Sequence, residues 1–257
     1  MSRIAKLIGR MCWRNSHHID YRFDVQICDE PFIAFTNGER RWVYEITTEL
    51  DKSDRRRNWT DIELMYKYYE NPIEGLKTWF QVVQKTLKAT LQYIRINIDD
   101  YPTQNKLFID WIKTQTPSVE KIVIDGSTLA DDDVSYFLNT ITAEWSLYLD
   151  AKLSDRFTIN FSRTLAGFYV KYGEWITVVQ LVLIPALSIS IVHSSLTPQE
   201  LKAFFDWFYK DTVQGGVEIT RSDGAIAFLG LFESPHSEFG VLRFCLYSNE
   251  LNSALTT

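Results

Sequence analysis

An α/β fold is what this sequence predicts: an irregular leucine-rich-repeat-like solenoid of strand-helix units, with an N-terminal antiparallel β segment and a C-terminal β-hairpin cap. Three observations predict it. Short apolar alternations near Ile96, Ile124, Leu149, Val170 and Ile191 recur at intervals of 28, 25, 21 and 21 residues, the spacing of units that each add one parallel strand and a covering helix or turn. Two units repeat in detail: Ile122, Ile124, Ser127, Leu129, Val134, Phe137, Leu138 and Ile141 stand 67 positions before Ile189, Ile191, Ser194, Leu196, Leu201, Phe204, Phe205 and Phe208. Helix-start signals fall between the alternations, at Asn71-Pro72-Ile73-Glu74 and at Thr197-Pro198-Gln199-Glu200. The asparagine ladder of regular repeats is missing, so the array is irregular.

Taken in order, residues 2–11 fit a short helix with Ile4, Leu7, Ile8 and Met11 on one side, too short to stand without a partner. From Tyr21 the period falls to two: Tyr21, Phe23, Val25 and Ile27 alternate with Arg22, Asp24 and Gln26, a strand with one wet face. Pro31 opens a second strand over 32–36, Asn37-Gly38 supplies a tight hairpin turn, and Trp42, Tyr44 and Ile46 mark the return strand. Residues 49–70 read as a polar loop that mixes charges with Trp59, Leu64, Tyr66, Tyr68 and Tyr69. A helix follows Asn71, with Ile73, Leu76, Phe80, Val83 and Leu87 on one face. Then come a strand over 91–99, a helix from Pro102 through Ile112, a strand over 119–124 and a helix over 131–141.

Between Trp175 and Gln199 no residue is charged, a run long enough to cross a bilayer as a helix. Its internal punctuation reads otherwise. Pro185-Ala186 breaks it, Ser188-Ile189-Ser190-Ile191 alternates as a half-buried strand does, and Thr197 opens a second helix with Leu201, Phe204, Phe205 and Phe208 on one face. The earlier copy of the same unit carries Asp125 and Asp131 to Asp133, so the architecture does not depend on an uncharged run. Past the repeat, a strand over 217–220, the turn Arg221-Ser222-Asp223-Gly224 and a strand over 225–228 predict a hairpin, with a last strand over 241–247.

Composition narrows the function classes. At 257 residues and 46% hydrophobic the chain can bury a large core, and a formal charge of -6 argues against a general nucleic-acid binder. Cys12, Cys28 and Cys245 are odd in number and widely spaced, which predicts reduced thiols and neither a disulfide framework nor a zinc site. Lys6, Gly9 and Arg10 interrupt any signal-peptide core, so the expected location is the cytoplasm or nucleus, with no membrane partner. In that location the sequons at Asn58 and Asn160 carry no glycan.

No phosphate loop, nucleophile elbow or kinase signature is present, so the expectation is a protein that is not an enzyme and uses no cofactor. His17 and His18 are adjacent, and neighbouring side chains on a strand face opposite ways; His193 and His236 are lone. No metal is expected. Asp131 to Asp133 lacks the glycine and distal glutamate of a calcium loop, and fits a helix N-terminus. The Arg55-Arg56-Arg57 triplet beside Trp59 is flanked by Asp51, Asp54 and Asp61 and reads as a solvated loop. Trp111, Trp175 and Trp207 fall in phase with apolar positions or directly beside them. No partner-binding residue stands out from solvated surface.

In chain order, ENPIEGLKTWFQ, FIDWIKTQTPSVEKIVIDG, YGEWITVVQL, SSLTPQELKAFFDWF and EITRSDGAIA resemble the nematode-type F-box-associated domain (type 2). The resemblance runs from Asp20 to Tyr247 and makes residues 16–257 that domain, with an antiparallel β segment and loop over 16–70 and the repeat-like α/β part with its β cap over 71–257. It leaves residues 1–15 as the end of an F-box or a linker helix, since SRIAKLIGRM is similar only to an F-box's last helix. The implied function is that of a non-catalytic protein-protein interaction module, similar to the substrate-recognition domain of F-box ubiquitin-ligase receptors. Its partners would be a protein client and, where an F-box precedes Met1 in the natural transcript, a Skp-family adaptor and a cullin. Without that F-box the alternative is a stand-alone interaction or decoy domain with no ligase coupling.

Overall fold

The computed structural model describes residues 21–36, 40–197 and 200, together with the backbone of 217–220, 226–232 and 241–247. The chain divides into two compact units, Met1–Ile122 and Val123–Thr257. The strand Ser118–Gly126 (β7) carries it from one to the other.

In the first unit the strands are Arg22–Ile27 (β1), Phe32–Thr36 (β2), Arg41–Thr47 (β3), Arg56–Asn58 (β4), Ile62–Tyr68 (β5) and Thr90–Asn97 (β6), with helices Pro72–Leu87 (α1) and Asn105–Gln115 (α2). They lie in the order β6-β1-β2-β3-β5-β4. The predicted meander is there: β1 and β2 pair antiparallel, as do β2 and β3. The Asn37-Gly38 turn itself lies outside the described residues. Two parallel pairs, β1 with β6 and β3 with β5, make the sheet mixed.

Residues 49–70 correct the expectation of a loop, because they contain β4 and β5. Ile62, Leu64, Tyr66 and Tyr68 alternate with Glu63, Met65 and Lys67, a period of two hidden by the dense charges before it. A parallel neighbour needs a crossover. Here that crossover is β4, folded back antiparallel on β5.

Helix α1 forms where its cap predicts. The Asn71 side chain accepts from the N–H groups of Ile73 at 3.1 Å and Glu74 at 3.3 Å, and Pro72 occupies the first turn. The helix packs on β2 and β3. Gly75 is required for that approach, since a Cβ there would lie 2.5 Å from the Tyr69 ring and 2.9 Å from Ile46. Above the sheet the Trp79 ring stacks on Tyr44 at 4.6 Å, while Phe80 meets Phe23 edge-on at 5.0 Å and Trp111 at 4.9 Å. Helix α2 starts three residues later than Pro102 predicts, because Tyr101 first accepts from the backbone of Gln104 and Asn105 in a turn. Buried Asn105 then donates to the Ile98 carbonyl at 2.9 Å.

In the second unit the strands are Thr142–Ala151 (β8), Leu165–Val170 (β9), Ala186–Ile191 (β10), Val217–Thr220 (β11), Ile226–Phe232 (β12) and Val241–Tyr247 (β13), with helices Asp131–Thr140 (α3) and Val178–Leu183 (α4). Strand order is β11-β12-β13-β10-β9-β8. Strands β8, β9 and β10 run parallel, and β11 to β13 add antiparallel strands to the edge of β10. The uncharged run resolves into α4, capped by a Thr177–Gln180 box, then the break at Pro185, then β10. Among the described residues no helix is long and apolar enough to cross a membrane. Thr197 and Glu200 exchange the predicted cap bonds at 2.8 and 3.2 Å; the helix predicted over 201–208, with Trp207, lies outside the described residues.

The chain is therefore α/β with mixed sheets. A leucine-rich-repeat solenoid is not shown: antiparallel pairs occur in both units, and an irregular link, 152–164, joins β8 to β9. The 67-residue repeat holds at the strand positions, where Ile122, Ile124, Ile189 and Ile191 are all buried. Leu129, which pairs with Leu196 in it, is 70% exposed and carries no packing.

Phe80, 1% exposed between Phe23 and Trp111, is the most telling core position of the first unit. Phe80→Ala should lower unfolding stability by about 3–5 kcal/mol, measured by urea denaturation, and a loss under about 1 kcal/mol would show that α1 is not seated as described.

Candidate functional site

Strand alternation gives each sheet one buried face and one half-exposed face. In the first unit the half-exposed face is charged, and its charges answer one another. Arg41 binds Asp24 at 3.0 Å, Arg22 lies 3.5 Å from Glu120, and Gln92 donates to Glu120 at 2.6 Å. The ammonium of Lys121 sits 5.4 Å from the centre of the Tyr93 ring. Burial raises the Asp24 carboxyl above its ordinary pKa, although Arg41 pulls it down. Two of the arginine triplet are likewise engaged: Arg55 pairs with Asp51 at 3.2 Å, and the Arg57 guanidinium lies 5.9 Å from the Tyr66 ring. A short edge strand bearing such charges discourages pairing with other chains.

One group of the first unit has unusual protonation. Glu45 on β3 is half-buried, and its carboxyl shares a proton with that of Glu30. Desolvation first, then the bond to Glu30, pushes Glu45 up to about 7. Glu30 falls below its ordinary value, because it accepts from Glu45 and from Lys52 at 2.9 Å. Nearby, the Cys28 thiol donates to the Glu30 carbonyl at 3.1 Å, and burial and then Asp100 push it up to about 11. It is an unreactive thiol at neutral pH.

In the second unit the half-exposed face has a different character. Register puts Ser146, Gly167 and Ser188 on one rung and Tyr148, Tyr169 and Ser190 on the next; Ser146 itself is buried, and the other five are half-exposed. The two tyrosine rings meet at 5.5 Å. Asp150 follows on the same face of β8. The Tyr169 hydroxyl is raised in pKa by burial and then by Asp150. The intervening residues Leu147, Leu149, Phe168, Val170, Ile189 and Ile191 are buried beneath. Beyond the strand ends, Tyr172 stacks on His193 at 5.8 Å, with Lys152 and Lys171 close to the same ring.

Elsewhere in this unit, Trp145 is 65% exposed beside an Arg163–Glu144 pair at 3.9 Å. A cleft bordered by Leu138, Ile141, Phe161 and Leu165 encloses about 30 Å³, the scale of one water molecule and far below a small-molecule site.

Of the residues weighed in the sequence, Asp131 acts as a tether: its carboxylate accepts from the Ser154 N–H at 2.9 Å and from the Ser154 hydroxyl. Asp132 and Asp133 share the first turn of α3, as a helix N-terminus favours. Trp175 is core, edge-on to Phe157 at 5.0 Å. His17, His18 and Cys12 lie outside the described residues, as do the side chains of His236 and Cys245. Among the described residues no three of His, Cys, Asp and Glu are grouped to hold a metal ion. His193 joins the Tyr172 cluster, and alternation alone placed the rung residues on the wet face of their strands. No family model, curated protein or solved structure matches the chain.

The Glu30–Glu45 pair makes stability pH-dependent. A carboxyl whose folded pKa is raised stabilises the folded unit when protonated, and that contribution is lost as pH climbs from the ordinary value of 4.5 through about 7. Glu45→Gln keeps a donor toward Glu30 at every pH. It should gain about 1 kcal/mol over wild type at pH 8, after discounting for solvent exposure, and match it near pH 5. Parallel urea-stability profiles between those pH values would refute the shared proton.

Proposed function

We propose that the chain is a non-catalytic protein-interaction module that presents the half-exposed sheet face of its second unit to a protein client, in the manner of the substrate-recognition domain of F-box ubiquitin-ligase receptors. The observation that carries this reading is the pair of rungs Ser146–Gly167–Ser188 and Tyr148–Tyr169–Ser190. Tyrosine offers large contact area at low entropic cost, serine offers adaptable hydrogen bonding, and both stand on strands whose other face is locked in the core. The parallel run β8-β9-β10 is the segment that a repeat-like array with a β cap would build on.

The ligase connection rests on the ordered motifs quoted above. It adds a Skp-family adaptor and a cullin as partners where the natural transcript supplies an F-box. Co-precipitation of the natural full-length product should recover adaptor and cullin together with a client. Tyr148→Ser/Tyr169→Ser should reduce client recovery by roughly tenfold or more, as removal of two aromatic anchors does, without changing adaptor recovery. Absence of adaptor and cullin would refute the ligase role; an unchanged client yield from the double variant would refute this face as the contact.

A further inference from the structure

We propose that the rim at the carboxyl ends of β8, β9 and β10 is a binding site for a phosphate dianion, held by the ammonium groups of Lys152 and Lys171 and the hydroxyl of Tyr172. The backbone ladder brings these residues together. Lys152 follows the last residue of β8, the Lys171 N–H donates to Leu149 at 2.9 Å, and the Val192 N–H donates to Val170 at 2.8 Å. Each therefore continues its strand at the same end of the parallel set, where open α/β sheets place their ligands.

Three donors at this rim have no acceptor. The Lys152 and Lys171 ammonium groups lie 5.5 and 5.3 Å from the centre of the Tyr172 ring. Among the described residues neither makes an ion pair or a hydrogen bond, and the Tyr172 hydroxyl makes no hydrogen bond. Asp125, Asp150, Asp155 and Glu174 are the acids of the flanking stretches, and among the described residues none forms an ion pair with either lysine. That differs from the first unit, where Arg22, Arg41, Lys52 and Lys67 each meet a carboxylate. Two positive charges that meet a ring but no carboxylate among the described residues, together with a hydroxyl, match the charge and the several acceptor oxygens of a phosphate monoester better than a single carboxylate.

The rim is also constrained backbone. His193 has φ of 50°, in the left-handed region that non-glycine residues seldom adopt, and its ring lies 13° from parallel with Tyr172. Gly173 makes this possible: a Cβ there would sit 2.2 Å from Ile191 and 3.0 Å from the Val192 carbonyl. The turn is thus pressed onto the end of β10, and Tyr172 is held between neighbouring strands. Strain of this kind collects at ligand sites.

The proposal rests on the interaction reading only for the source of the phosphate, a phosphorylated side chain of the client. Titration of the full chain with inorganic phosphate, and with acetate at matched ionic strength, should shift the backbone amide resonances of Lys171, Tyr172, Gly173 and His193 saturably with phosphate and at least about tenfold more weakly with acetate. Lys152→Met/Lys171→Met, which keeps the apolar stems, should weaken phosphate binding by about tenfold or more; Lys152→Gln/Lys171→Gln provides the same test should the methionine pair misfold. Non-saturating shifts, equal affinity for acetate, or unchanged affinity in a folded double variant would overturn the site. Client capture abolished by phosphatase treatment assigns the phosphate to the client, and capture that survives it leaves a site for free phosphate. Failure of the wild type to capture any client would defeat the interaction reading while leaving the titration intact.

Discussion

One-sided burial of the strands is the constraint on which the rest depends. Along β8 to β10 the inward residues Leu147, Leu149, Phe168, Val170, Ile189 and Ile191 are each at most 5% exposed. On the opposite face Tyr148, Gly167, Tyr169, Ser188 and Ser190 remain half-exposed. Each inward side chain contributes roughly 1.5–3 kcal/mol when fully buried, so a slip of one residue in register would turn that whole set out to water. Register is therefore fixed by the core, and the wet face inherits the same precision without contributing to it. Serine and tyrosine rungs line up across three strands because the leucines, isoleucines and valines beside them must.

The same constraint explains what was legible in the sequence. Strands with a clear period of two, such as those at Phe23, Val25 and Ile27 or at Ile189 and Ile191, could be read directly, as could α1 from Asn71 and Pro72. Residues 49–70 could not. There the alternation of Ile62, Leu64 and Tyr66 follows a dense mixture of charges, and the parallel pairing of β5 with β3 is a long-range fact with no local signature. The solenoid expectation came from spacing alone, and spacing does not report whether neighbours are parallel. The antiparallel pairs lie in the N-terminal meander and at the C-terminal edge, where the sequence predicts them, and β8 to β10 of the spaced series are parallel; what spacing could not report is that these pieces join into mixed sheets.

Legibility of the candidate site was lower, for a related reason. Ser146, Tyr148, Tyr169, Ser188 and Ser190 are scattered over forty-five positions and belong to no motif. They become a surface only when three parallel strands bring them to adjacent rungs. His193 looked like an isolated histidine. Its significance depends on Tyr172 and on the missing side chain at Gly173, neither adjacent to it in the chain.

The two units also differ in how they treat charge. In the first unit Arg22, Arg41, Lys52, Arg55 and Lys67 are met by carboxylates and Arg57 by a ring; each such contact contributes little to stability. In the second unit the rim lysines are held against an aromatic ring and, among the described residues, pair with no acid. Each ammonium gains a cation–π contact from the ring while the two repel one another, and Asp125, Asp150, Asp155 and Glu174 are near enough in sequence to have been placed as partners. On the phosphate proposal, a ring contact without a neighbouring carboxylate is what would leave these two surface lysines open to a ligand.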